Sequence, residues 1–164
     1  KNTEALTLVQ KSIPELKKTM SYHNRVGFAS LLIKTLNASG KATEGESYGK
    51  TFFTAYRDKV LEYRWHSFFS SWLQSMIMQE KYIEVLTICR RYKIMELEVN
   101  YSKRPGYLPT ISWYYFLAKY KTGKIELTQI LKQFSDVSVT NPRLHGLNEL
   151  KAVRIARAAI IVAM

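Results

Sequence analysis

The stretch Phe68-Phe69-Ser70-Ser71-Trp72-Leu73-Gln74-Ser75-Met76-Ile77-Met78-Gln79-Glu80-Lys81-Tyr82-Ile83-Glu84-Val85-Leu86-Thr87-Ile88-Cys89-Arg90-Arg91-Tyr92 decides the fold. Phe68, Trp72, Leu73 and Met76 recur at spacings of three and four, the period of an α-helix with one apolar face. The polar pair Glu80-Lys81 interrupts them. Val85, Cys89 and Tyr92 then resume the same period, with medium or small residues where a second helix must come close to the first. This is the pattern of a helical hairpin.

The same pattern occurs twice more. From Phe28 to Phe68 is 40 residues, and Phe28, Leu32, Ile33, Leu36, Gly40, Ala42, Gly45, Gly49 and Phe52 repeat it upstream. Downstream, Trp113, Phe116, Leu117, Tyr120, Gly123 and Ile125 follow, then Leu127, Ile130, Leu131 and Phe134. Glycine and proline cluster at 40–49, 105–109 and 141–146, and no run alternates with the strict period of a half-buried strand. The spacing predicts an all-α chain of about seven or eight helices, at residues 3–20 (broken or kinked at Pro14), 24–38, 44–63, 65–79, 82–99, 111–121, 126–134 and 144–164. Residues 1–164 then form one domain, with hairpins at 24–63, 65–99 and 111–137 and a capping or continuing helix at 144–164. A single hairpin cannot bury its own apolar face, whereas stacked hairpins bury a continuous core and expose a curved surface.

On Trp72, Leu73, Met76, Tyr82, Val85, Cys89 and Tyr92, and on Trp113, Phe116, Leu117 and Tyr120, the chain resembles the tetratricopeptide repeat. The resemblance spans residues 24–137. It departs from the family in a spacing of about 40–43, a third turn one residue short, and no proline closing a unit. It implies an α-solenoid of antiparallel hairpins whose first helices line a concave groove. In that register the groove holds Ser30, Lys34 and Asn37, then Ser67, Ser70, Gln74 and Met78, then Tyr114, Ala118 and Lys121. Lys34, Asn37, Gln74, Tyr114 and Lys121 are therefore the candidate binding residues. Lys34, Asn37 and Lys121 would hold a carboxylate or a peptide backbone, and Tyr114 would supply apolar contact. They do not reproduce the family's carboxylate clamp. Similar arrays occur in the sensor or regulatory parts of larger bacterial regulators, an analogy of fold alone.

Composition narrows the function classes. The 164 residues are 46% hydrophobic and 23% charged, ordinary for a globular domain. One cysteine excludes an internal disulfide framework. The three histidines are scattered, and the sequence presents no cofactor or metal motif. Cys89 beside Arg90-Arg91 reads as a small packing residue, and His23, His66 and His145 as ordinary surface or cap residues. The segment Gly45-Glu46-Ser47-Tyr48-Gly49-Lys50-Thr51 has three residues between its glycines where a phosphate loop needs four, and no strand precedes it. Lys1 at the start, and an apolar pattern running unbroken to Met164, suggest a piece of a longer protein.

The net charge of +12 is the unusual feature, with 21 aromatic residues interleaved. Basic groups recur along the chain, and Lys151, Arg154 and Arg157 form a three-residue-spaced stripe on the expected last helix. Residues 1–82 carry +5 and residues 83–164 carry +7, so the charge is spread rather than concentrated. The leading expectation is a non-enzymatic scaffold or sensor segment that binds a protein or peptide, with acidic partners among those the charge admits. The alternative is a basic helical domain that binds RNA or DNA by tracking phosphates and stacking bases.

Overall fold

A computed structural model describes residues 7, 21–57, 64–95, 110–126 and 128–130. Among these residues every regular element is helical and none is a strand. Among the described residues five helices are bounded, α1 Tyr22–Ala38, α2 Ala42–Tyr56, α3 Arg64–Ile77, α4 Tyr82–Arg91 and α5 Thr110–Lys121, and residues 94–95 and 128–130 are helical too. The helices expected at 3–20, 126–134 and 144–164 lie wholly or mostly outside the described residues.

Helices α1, α3 and α5 end in the same way. After α1, Gly40 takes φ +74°, Lys41 N–H donates to Leu36 O and Gly40 N–H to Asn37 O. After α3, Glu80 takes φ +58°, Lys81 N–H donates to Met76 O and Glu80 N–H to Ile77 O. After α5, Gly123 takes φ +67°, Lys124 N–H donates to Lys119 O and Gly123 N–H to Tyr120 O. Each is a Schellman turn: one left-handed residue lets two backbone N–H groups satisfy the carbonyls left over at the helix end. A lysine follows the left-handed residue every time. Glu80 occupies a conformation that costs an L-residue about 1–2 kcal/mol. Glu80→Gly should therefore raise stability by about 1 kcal/mol, read as a higher urea midpoint at unchanged slope. A lower midpoint would show that the Glu80 side chain matters more than its backbone strain.

Among the described helices the main packing pairs are α1 on α2 and α3, α2 on α3, α3 on α4 and α5, and α4 on α5. The hydrogen bonds give their directions. Ser30 pairs with Ser67 and Ser71, and Asn37 with Ser71 and Ser75, so α1 and α3 run parallel. Thr43 pairs with Gln79, Glu46 with Gln79, and Phe53 with Trp65, so α2 runs antiparallel to α3. Helix α3 is central. Trp65, Phe68, Phe69, Leu73, Ser71 and Ser75 on it are fully buried.

Two glycines set how closely α2 approaches. A Cβ on Gly45 would lie 2.9 Å from both Asn37 Oδ1 and Ser75 Oγ. A Cβ on Gly49 would overlap the indole ring of Trp72. The segment that resembled part of a phosphate loop is thus the close-packed face of a helix. Trp72 lies across it and donates from Nε1 to Glu46 O at 3.1 Å. Phe53 fills the angle between Trp65, Phe69, Trp72 and Tyr92, with ring centroids 4.6–5.7 Å from its own.

Two expectations are corrected. The fifth helix was expected to reach residue 99, but α4 ends at Arg91 because Lys93 turns left-handed at φ +50°. That turn brings Ile94 into the core at 0% exposure. On α5 the buried stripe was expected at Trp113, Phe116, Leu117 and Tyr120. Instead Ile111, Tyr114, Tyr115 and Ala118 face the main core, Leu117 is also buried, and Trp113, Phe116 and Tyr120 are half-buried. The turn at Gly123 fixes the register. Counted from it, Ile111 and Tyr115 stand where Phe68 and Trp72 stand in the unit before. Aligning the third unit by its aromatics instead displaces it by one residue, or about 100° of helix rotation.

Candidate binding face

The α1–α3 contact is polar along its length. Ser30 Oγ lies 2.9 Å from Ser67 O, to which it donates, and 3.0 Å from Ser71 Oγ. Asn37 Nδ2 donates to Ser71 O at 3.1 Å, and Ser75 Oγ donates to Asn37 Oδ1 at 2.8 Å. All four side chains are buried. Small hydroxyl residues let the two backbones approach, and Asn37 satisfies groups on both serine turns of α3. The network continues to the surface. Glu46 Oε2 accepts from Gln79 Nε2 at 2.8 Å and Lys81 Nζ at 2.6 Å, and Thr43 Oγ1 donates to Gln79 Oε1 at 3.1 Å. This ties α2 to the turn after α3.

The expected binding residues separate on this frame. Lys34 stands four residues after Ser30 and three before Asn37, so it flanks the seam, and it is exposed. Gln74 stands three residues after Ser71 and is half-buried on the same open side. These two are brought together across one seam. Asn37 is not open to a ligand: it is 4% exposed and forms part of the floor. Tyr114 is not a groove anchor either, because the one-residue shift of α5 packs it against the main core. Lys121 is exposed at the end of α5. Lys151, Arg154 and Arg157 lie outside the described residues.

Two apolar residues that the polar reading of the groove undervalued stand on this side. Leu31 is 53% exposed at the middle of the outward face of α1, three residues from Lys34. Met78 is 48% exposed four residues beyond Gln74, and its N–H still bonds Gln74 O at 3.0 Å, so it continues the turn of α3. Helical spacing from the buried serines was enough to place both on this side, once α1 and α3 were known to be neighbours.

Charge is sorted by helix. α1, α3 and α5 contain no Asp or Glu; their charged residues are Arg25, Lys34, Arg64, Lys119 and Lys121. Among the described residues the acids are Glu44 and Glu46 on α2, Glu80 in a turn, Glu84 on α4, and Glu126 after α5. The even spread between the two halves of the sequence hid this, because the alternation runs helix by helix.

Burial raises the Tyr114 phenol above its ordinary value near 10. Burial, then the neighbouring Tyr56, raises Tyr48. A raised folded-state value means that the stabilisation is complete below pH 10 and is lost as pH rises beyond it. Wild-type stability should therefore fall above pH 10. Tyr48→Phe should lose less than wild type between pH 9 and 11.5, measured by urea midpoints. An equal or greater loss in the variant would refute this account of Tyr48.

Among the described residues no helix is long and apolar enough to cross a membrane. No group of three or more His, Cys, Asp or Glu among them could hold a metal ion. No family model matches the chain, and neither does any curated protein or solved structure.

Proposed function

We propose that the chain is a divergent array of helical hairpins of the tetratricopeptide kind, acting as a non-enzymatic scaffold or sensor segment that binds a protein or peptide. The observation that carries the reading is the recurrence of one Schellman turn at Gly40, Glu80 and Gly123, together with the parallel packing of α1 on α3 among the described helices. Such an array places first helices side by side and parallel. Their outward faces then form an extended surface suited to a chain segment. The α1–α3 seam, with Lys34 and Gln74 above a buried polar floor, is the part of that surface offered as the site.

A displayed library of random 16-residue peptides panned on the folded chain tests this. It should retain peptides that the double variant Lys34→Glu/Gln74→Glu no longer binds, with its Tm unchanged. Retention of no peptide overturns the proposal. So does tight binding of a 20-nucleotide single-stranded RNA that weakens steeply between two salt concentrations, if no peptide is retained.

A further inference from the structure

We infer that the partner of the α1–α3 face is an acidic segment carrying apolar side chains, held by Leu31, Lys34, Gln74 and Met78. The inference rests on the peptide-binding reading above and names the chemistry of its partner. Its first support is the sorting of charge. Helices α1, α3 and α5 contain no carboxylate, while the described acids lie on α2 and α4, in a turn or beyond α5. An acidic segment crossing α1 and α3 therefore meets no like charge from either helix, whereas a basic one meets Lys34 with no acid on either helix to offset it. Complementarity of this kind selects partners and speeds encounter more than it adds affinity.

The second support is the pair of exposed apolar residues. Leu31 and Lys34 are neighbours on one face of α1, and Gln74 and Met78 are neighbours on α3. Each helix thus presents one large apolar group, 53% and 48% exposed, beside one polar group. The polar floor beneath them is already satisfied by Ser30, Asn37, Ser71 and Ser75, so it makes no demand on a ligand. The anchors are aliphatic, and Tyr114, the aromatic expected in the groove, is partly buried against the core. A face with one lysine and no open aromatic at these positions lacks both devices that hold a single-stranded nucleic acid.

The experiment takes the peptides retained by panning, remade with a fluorescent label, alongside counterparts in which every Glu and Asp is replaced by the matching amide. Binding is read by fluorescence polarisation against wild type, Leu31→Ser, Lys34→Glu and Met78→Ser, with Tm recorded for each. The expected result is retained peptides of net negative charge containing Leu, Ile, Phe or Met, and about tenfold weaker binding of the amide counterparts. Leu31→Ser and Met78→Ser should each weaken binding about tenfold without lowering Tm. Lys34→Glu should weaken the acidic peptides and spare their amide counterparts. Retained peptides that are neutral or basic, that bind equally as amides, or that ignore the Leu31 and Met78 variants overturn the inference and leave the peptide-binding reading standing. Retention of no peptide overturns both.

Discussion

Trp72→Ala should lower stability by about 3–5 kcal/mol, the cost of removing a large buried aromatic side chain and leaving a cavity. The ring is 3% exposed, lies against Gly49, and touches Phe53, Phe68 and Phe69 with centroids 5.5–6.3 Å away. Its Nε1–H bond to Glu46 O is lost with it. At about 2–4 °C per kcal/mol for a chain of this size, Tm should fall by roughly 6–20 °C. The sharper test is the coupling with Gly49. In wild type, Gly49→Ala drives a methyl group into the indole and should cost about 1–3 kcal/mol. In the Trp72→Ala background the same methyl enters the vacated space, and alanine's better helix propensity then contributes up to about 1 kcal/mol of stability. The sign of the Gly49→Ala effect should invert between the two backgrounds. Additive effects would mean that the indole and the glycine do not oppose each other in solution.

Asn37→Asp should be about as damaging, costing about 3–5 kcal/mol at pH 7, as expected for an uncompensated buried charge. Asn37 is 4% exposed, and its Nδ2 donates to a carbonyl, Ser71 O. A carboxylate there loses that donor and faces the carbonyl oxygen directly. Burial raises the folded-state value of the new carboxyl above its unfolded value of about 3.9. The variant's deficit should therefore be smallest below about pH 4, where the group is protonated in both states, and should grow as pH rises toward the folded-state value. Asn37→Ala supplies the control. It should cost about 1–3 kcal/mol, for the groups left without a hydrogen-bond partner, with no added pH dependence. Urea midpoints at pH 4, 5.5 and 7 separate the two variants. A deficit of Asn37→Asp independent of pH would show that residue 37 is open to water.

The seam shows why the candidate residues read from the sequence do not all share one open face. Lys34 and Gln74 were legible because helical periodicity fixes which residues share a face. Asn37 carries the same polar signal as Lys34 in a sequence, yet it lies one turn further on, turned toward the neighbouring helix. Only the parallel approach of α1 to α3 makes it floor rather than rim. Tyr114 was misplaced for a different reason. The run Trp113-Tyr114-Tyr115-Phe116 is apolar all round, so its period gives no phase, and a one-residue choice decides which ring is buried. The backbone turn at Gly123 supplies that phase.

The sequence by itself determined the helical class and the turn positions near 40, 80 and 123. Apolar spacing, glycine at two of the turns and small residues at close approaches are local properties of the chain. The tertiary structure decided what those residues face: Gly49 against an indole, and Asn37 toward the serines of α3. These are relations between residues about 20–40 positions apart, and they exist only once helix packing brings those residues within a few ångströms of one another.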